Sequence, residues 1–376
     1  MKIVQIITRM DDVGGAQVHV RDIVGGLKES GHDIYIITGE KRNVHTSIEQ
    51  NDITLIYCKH LIRNLNIISD IKAVLKIRKL VKEISPDIIA THSSKAGIIG
   101  RIAGYTLRIP TIFTAHGWSY TEGVSAKKRR IYILIEKLIG QFSDGVIAVS
   151  EYDKQLALKH KVLPERKLET IHNGVHDIGI IKQVKDPDKQ LNMIMVARFA
   201  PPKQQLQLLK VLNQMQHIQW NISFAGEGPA LQEAKDYVKS VGLEKRVSFL
   251  GNREDVTDLL HKSDLFVLIS DWEGLPLSVL EAMRCGLPII ASDVGGVKEA
   301  VIHSENGYLI PKSDGDELLK KLTHLLMDQS LCFDMGKKSR QLYEKKFTYV
   351  KMYSETFNYY EKTIQEKQIS MMQTSR

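Results

Sequence analysis

Glu273 and Glu281 are the residues that first suggest chemistry. They lie eight positions apart in SDWEGLPLSVLEAMRCGLPIIAS (270–292), a run otherwise apolar or turn-forming. On one continuous helix, eight residues turn about 800° and rise about 12 Å, too far for the two carboxylates to share a tight site. Gly274 and Pro276 break that run. Glu273 then falls in a loop after the strand-like DLFVLIS, and Glu281 in the helix beyond Pro276. So placed, both carboxylates can face one crevice, with a helix N-terminus between them aimed at an anion. Simpler readings stand beside this one. Ser278 and Glu281 fit the S-x-x-E of a capping box, and Glu273 can be loop charge. A glycosidase-type carboxylate pair is a third.

Other residues could meet a charged ligand. ARFAPPKQQ (197–205) places Arg198 and Lys203 just past a strand, where two cations suit a diphosphate or are ordinary surface charge. VGGAQ (13–17) puts Gly14 and Gly15 between a strand and a helix. Backbone amides can there approach a phosphate or a carbohydrate, and a tight turn fits equally well. AGEGPA (225–230) has no third glycine, and Glu233 and Asp236 come too early for a dinucleotide fingerprint. There is no Walker A sequence. DPD (186–188) has the shape of a metal-binding DxD, but it precedes a strand and lies between Lys185 and Lys189. It reads as a solvated loop, so neither metal nor cofactor is expected. THSSKAG and TAHGWSY set His92 and His116 just past strand ends, where open α/β sheets bind ligands. His116, followed by Gly117 and Trp118, is the stronger candidate.

These residues need elements to position them. KIVQIIT, DIYIITG, DIIATHS, PTIFTAHG and DGVIAVS read as buried strands with helical periodicity between them, which points to a parallel sheet covered on both faces. The pattern restarts with LNMIMVARF, WNISFAG, RVSFLG, DLFVLIS and LPIIASD. Two Rossmann-like domains follow. The boundary falls near Asn173-Gly174 and the charged stretch after it. TYVKMYSETFNYYEKTIQEKQ is a final helix with an aromatic packing stripe.

At 376 residues the chain fits two domains of ordinary size, and 43% apolar content supplies their cores. Cys58, Cys285 and Cys332 form no metal or disulfide spacing and read as free thiols of a reducing compartment. The first apolar run is too short for a secretory signal, and no stretch approaches the roughly 20 apolar residues of a membrane span. The net charge of +8 is uneven: residues 1–180 carry 26 Lys and Arg against 19 Asp and Glu, and residues 181–376 carry 26 against 25. A basic N-terminal half implies an acidic partner.

In combination the motifs are specific. EGLPLSVLEAMRCGLPIIASDVGGVKEAV resembles the E-x7-E segment of the retaining glycosyltransferases of family 4, which have the GT-B fold. GGAQVHVRDIVGGLKESGHDIYIIT, TAHGW, VSEY, HNGV, VARF with Lys203, FAGEGP and FLGNREDV occur in the family's order and extend the resemblance over nearly the whole chain. The resemblance implies two Rossmann-like domains facing a cleft. Residues 1–180 would be an acceptor-binding domain joined by a C-terminal helix (350–376), and residues 181–349 a nucleotide-sugar-binding domain. It implies that Glu281 binds the ribose and that Glu273 contacts the sugar and steadies the reacting ring. Amides of Gly274, Leu275, Leu277 and Ser278 would meet the distal phosphate, and Arg198 and Lys203 would neutralise the diphosphate. Leu250, Asn252 and Arg253 would pass the base, with Gly226 also on the donor side. His116 would touch the donor sugar, and Gly14 and Gly15 would line the donor phosphates or the acceptor. The family usually has Lys-Gly where this chain has Lys203-Gln204.

The implied activity is retaining transfer of a hexosyl or N-acetylhexosaminyl group from a nucleoside diphosphate donor, UDP by expectation. The acceptor would be a glycan or polyprenyl-linked precursor of capsule, exopolysaccharide or lipopolysaccharide. A nucleotide-sugar epimerase or hydrolase of the same architecture is an alternative, as is a non-catalytic module binding the membrane surface. No nucleic-acid recognition motif is present, so nucleic acid is not an expected partner. KAVLKIRKLVKE (72–83) and KKRRIYILIEKL (127–138) combine cations with apolar residues. They suggest a cytoplasmic enzyme held peripherally on an anionic inner membrane face.

Overall fold

A computed structural model describes residues 1–10, 14–39, 53–64, 66–179 and 190–374. The chain divides into two compact units. One comprises Met1–Asn173 with Val350–Arg376, the other Gly174–Tyr349. The division falls inside the Asn173-Gly174 dipeptide, a few residues before the expected 180/181 boundary. The rest of the expected linker, 180–189, lies outside the described residues and takes the DPD motif with it.

In the first unit the strands are β1 (Lys2–Ile7), β2 (Asp33–Thr38), β3 (Thr54–Tyr57), β4 (Ile88–His92), β5 (Thr111–Ala115), β6 (Gly145–Ala148) and β7 (Leu168–Thr170). They form one sheet in the order β3-β2-β1-β4-β5-β6-β7, with every pairing parallel. Both faces are covered, so the strands are nearly continuous apolar runs: Ile3, Val4, Ile6, Ile88 and Ile89 are all fully buried. Gln5 stands out within β1 as a fully buried amide.

The covering helices are α1 (Gly15–Glu29), α2 (Ile67–Ile84), α3 (Ser94–Leu107), α4 (Ala126–Gly140) and α5 (Glu151–Lys159). α2 turns Ala73, Ile77 and Val81 inward, one residue per helical turn. Between α3 and α4 the buried Arg101 gives an N–H to Glu136 at 2.9 Å, and its guanidinium lies over the Phe113 ring. The C-terminal helix (Tyr349–Thr374) belongs with this unit almost entirely. Tyr353 donates to the Gly26 carbonyl, Phe357 stacks on His32, and Lys367 pairs with Asp144. Its aromatic stripe is packing surface.

The second unit repeats the plan with β8 (Leu191–Val196), β9 (Trp220–Ala225), β10 (Val247–Gly251), β11 (Leu265–Leu268), β12 (Ile289–Ser292) and β13 (Gly307–Ile310), in the parallel order β10-β9-β8-β11-β12-β13. Its helices are α6 (Gln205–Asn213), α7 (Leu231–Ser240), α8 (Val256–His261), α9 (Leu277–Arg284), α10 (Val297–Ala300), α11 (Gly315–Met327) and α12 (Gln329–Lys346). Cys58, Cys285 and Cys332 are buried free thiols. Among the described residues, no helix is long and apolar enough to cross a membrane.

Candidate functional site

In the second sheet the strand order reverses between β8 and β11. The connections leave these two neighbours in opposite directions, so their carboxyl ends stay uncovered, the usual place for a ligand in an open α/β sheet. Lys203 follows β8 and Glu273 follows β11, and across this gap the Lys203 Nζ and a Glu273 carboxylate oxygen form an ion pair. The side chains are only 17% and 10% exposed, so the pair is shielded from the screening that weakens surface salt bridges.

The two loops are stitched together. Gln204 N donates to the Ile269 carbonyl at 2.9 Å and Asp271 N to the Pro202 carbonyl at 3.0 Å. The Gln204 side chain also donates to the Asp271 carboxylate. Gln204, which stands where the resembling family usually has glycine, thus adds a tie that places Lys203.

The Glu273 loop is clasped from the far side. Gly296 N donates to the Gly274 carbonyl at 2.9 Å. Gly295 has φ +57°, and a Cβ there would sit 1.8 Å from the Glu273 carbonyl oxygen, so only glycine fits. Helix α9 then begins at Leu277, with Pro276 as N-cap, no side-chain cap and no acidic residue in its first turn. Leu275 and Leu277 are buried, anchoring the turn. Ser278 is the second residue of the helix and not its N-cap, so it cannot form a capping box with Glu281. Glu281 lies one turn further on, partly exposed.

The loops after β8, β9 and β10 run side by side along the same edge. Ala197 N donates to the Ala225 carbonyl, Phe199 N to Glu227, and Gly226 N to Gly251. Gly226 has φ +141°, and a Cβ there would lie 2.2 Å from the Ala197 carbonyl oxygen. This zipper brings the exposed Arg198 together with Gly226 and the 250–253 segment. Asn252 reaches the Glu227 carboxylate at 3.4 Å. Arg253 forks onto Asp255 at 2.7 and 2.6 Å, which engages much of its hydrogen-bonding capacity within its own loop.

Gly14, Gly15 and His116 belong to the first unit. Gly14 is the N-cap of α1, with φ −134° and no side-chain cap. Residues 11–13 lie outside the described residues. His116, just past β5, joins His92 and His19 in a cluster in which one ligand-capable nitrogen of each ring lies within 4.8 Å of the other two. His92 Nδ1 is 3.1 Å from His116 Nε2, and its Nε2 is 2.7 Å from the Gln5 carbonyl oxygen. His19 Nδ1 is 3.2 Å from the Asn173 side-chain oxygen. Burial holds all three imidazoles well below the ordinary range. For His19 the value falls to about 4, with the Asn173 hydrogen bond opposing the shift. Repulsion from neighbouring imidazoles adds to the lowering at His92 and His116. Gln5 and His19 were not among the expected site residues. The signal for Gln5 was an amide inside a strand otherwise apolar; His19, on an apolar helix face, gave none beyond its residue type.

The family model described as Glycosyltransferase Family 4 matches residues 13–177, and the one described as Glycosyl transferases group 1 matches residues 178–342. The chain is 29% identical over 323 residues to the UDP-Gal:alpha-D-GlcNAc-diphosphoundecaprenol alpha-1,3-galactosyltransferase of Escherichia coli, covering 81% of this chain and 83% of that one. It is 27% identical over 376 residues to the N-acetyl-alpha-D-glucosaminyl L-malate synthase of Bacillus anthracis, covering 94% and 96%. The crystal structure of Anabaena Alr3699/HepE in complex with UDP-glucose aligns with a TM-score of 0.81 at 22% identity, covering 98% of this chain and 100% of that one. At this identity the likeness is one of fold.

The histidine cluster makes stability depend on pH. A histidine held neutral in the folded state contributes its full stability above the unfolded value of 6.5, and loses it as pH falls toward the folded value of about 4. For His19 alone the loss at pH 5 is about 2 kcal/mol. Urea unfolding at about pH 7.5 and about pH 5 is expected to show at least this drop, and a His19→Gln variant a smaller one. Equal drops in both proteins would show that His19 is not held neutral.

Proposed function

This chain belongs to the family 4 glycosyltransferases of the GT-B fold, and we propose that it moves a hexosyl or N-acetylhexosaminyl group from a UDP-sugar to a lipid-linked glycan precursor, with retention of configuration. The observation that carries this reading is the Lys203–Glu273 pair across the β8/β11 switch point, set beside the uncapped head of α9. Support for UDP comes from a relative named for UDP-Gal and from a structural neighbour in complex with UDP-glucose. Support for a lipid-linked acceptor comes from the diphosphoundecaprenol in the E. coli relative's name, and for surface polysaccharide assembly from a similar capsular glycosyltransferase of Staphylococcus aureus.

The roles follow from charge. As the glycosidic bond breaks, negative charge grows on the diphosphate, and Lys203, Arg198 and the backbone amides from Gly274 to Ser278 stabilise it in place. Glu273 stands beside the positive charge that develops on the sugar, and its ion pair holds Lys203 ready for the incoming phosphate. Glu281 takes the ribose hydroxyls. His116 contacts the sugar, and the first unit receives the acceptor. The leaving phosphate accepts the acceptor's proton on the face from which it departs, so retention needs no covalent nucleophile. Fixed cations perform the task a divalent metal performs elsewhere, so no metal is required.

The first unit also suits a membrane surface. α2 carries a second apolar stripe, Ile68, Ile71 and Leu75, which is 57–69% exposed and interleaved with exposed Lys72, Lys76 and Lys79. α4 exposes Ile131, Leu134 and Leu138 beyond Lys127, Lys128 and Arg130. Cover for the sheet needs only the inward stripe. An outward one flanked by lysines fits the anionic cytoplasmic leaflet where a polyprenyl acceptor resides.

Three outcomes test this reading. Glu281→Ala is expected to weaken UDP binding by about ten- to a hundredfold in calorimetric titration, with the melting temperature unchanged; unaltered UDP affinity excludes the ribose role. Sugar transfer from the UDP-sugar is expected to persist in excess EDTA. Abolition by EDTA and restoration by manganese would overturn the metal-free mechanism. In co-sedimentation, the protein is expected to bind anionic vesicles at low salt and to release at high salt. Serine at Ile68, Ile71 and Leu75 together should reduce that binding. Equal behaviour on neutral and anionic lipid removes the membrane assignment.

A further inference from the structure

The proton positions in the histidine cluster follow from one buried amide. Gln5 lies inside β1 and is fully buried, and its carbonyl oxygen Oε1 is 2.7 Å from His92 Nε2. A carbonyl oxygen only accepts, so His92 Nε2 carries the proton. A neutral imidazole holds one proton, which leaves His92 Nδ1 as a lone pair. His116 Nε2, 3.1 Å away, must then be the donor. The same count leaves His116 Nδ1 unprotonated. The third ring supplies nothing to it: His19 spends its own N–H on Asn173 at 3.2 Å, and its ring meets His116 edge-on at a centroid distance of 4.7 Å. Among the described residues His116 Nδ1 is a buried nitrogen with no hydrogen-bond partner.

We infer that Gln5 and His92 are positioning residues that fix the tautomer of His116, so that its Nδ1 accepts a hydrogen bond from a substrate hydroxyl. This rests on the glycosyltransferase reading, in which His116 meets a sugar. It adds a direction: the site selects a group that gives a proton and disfavours one, such as a carboxylate, that needs to receive it. Burial supports the assignment, because it keeps His92 and His116 neutral, and a charged ring would donate from both nitrogens. A Gln5 amide turned by half a rotation would reverse every proton in the chain, making His116 Nδ1 a donor. The amide orientation therefore sets what the site recognises.

The test reads the tautomer directly. Protein labelled with 15N-histidine is examined by long-range proton–nitrogen correlation spectroscopy, for the wild type and for Gln5→Met, which preserves length and volume without the carbonyl. The wild type is expected to show His116 protonated on Nε2, and Gln5→Met to show a mixture of tautomers. Hydrolysis of UDP-galactose without acceptor is the activity probe. Gln5→Met is expected to lower kcat/KM about tenfold, as for loss of one directed hydrogen bond, with UDP affinity unchanged. Should Gln5→Met fail to fold, His92→Asn replaces it: its side-chain oxygen can accept from His116 Nε2 and should retain the wild-type tautomer, while His92→Phe should not. A wild-type His116 protonated on Nδ1 overturns the relay. So does an unchanged tautomer in Gln5→Met, or stoichiometric zinc bound by the three imidazoles. Failure of UDP binding with the expected tautomer intact would instead overturn the glycosyltransferase assignment of the site.

Discussion

A parallel sheet whose strand order reverses leaves two neighbouring carboxyl ends uncovered, because the connections from those strands depart in opposite directions. Each sheet of this protein reverses once, between β8 and β11 in one unit and between β1 and β4 in the other. Several of the candidate residues lie at these reversals. Lys203 and Glu273 follow β8 and β11; Gln5 lies in β1 and His92 ends β4.

The two reversals are furnished in opposite electrostatic styles. At β8/β11 the groups are charged and mutually compensated: an ammonium and a carboxylate in contact, and a helix head with no acid in its first turn to quench it. Such an edge keeps its charge in place before a ligand arrives, so in the proposed transfer little reorganisation is needed as the diphosphate gains charge. At β1/β4 the groups are buried imidazoles and an amide. Burial removes their charge and leaves a chain of neutral hydrogen bonds with a defined direction. A charged edge suits a leaving group, and a neutral one suits hydroxyls, whose recognition depends on which partner holds the proton.

Backbone geometry makes the charged edge rigid. Gly226 and Gly295 each have positive φ and each let a neighbouring carbonyl approach closer than any Cβ would allow. The first docks the β9 loop against Arg198, and the second clasps the loop that carries Glu273. Gln204 contributes in another way, through a side chain bonded to Asp271 that joins the β8 and β11 loops. Lys203 is thereby held by neighbours on both sides of the gap.

Much of this was written in the sequence. Apolar runs separated by helical periodicity, and then repeated, gave two parallel sheets, because burial on both faces demands such strands. Gly274 and Pro276 separated Glu273 from Glu281, because neither residue continues a helix there. What tertiary structure alone decided concerns partners. Ser278 and Glu281 fit a capping box by spacing, and only the start of α9 at Leu277 excluded it. α2 appeared as one amphipathic helix, and only its packing divided the apolar residues into an inward stripe of Ala73, Ile77 and Val81 and an outward one of Ile68, Ile71 and Leu75. Gln5 and His92 are 87 positions apart, and His92 and His116 are 24. Periodicity reports which residues are buried, but not which buried polar groups meet. That meeting is fixed by strand order and register, a property of the assembled sheet and not of any local segment.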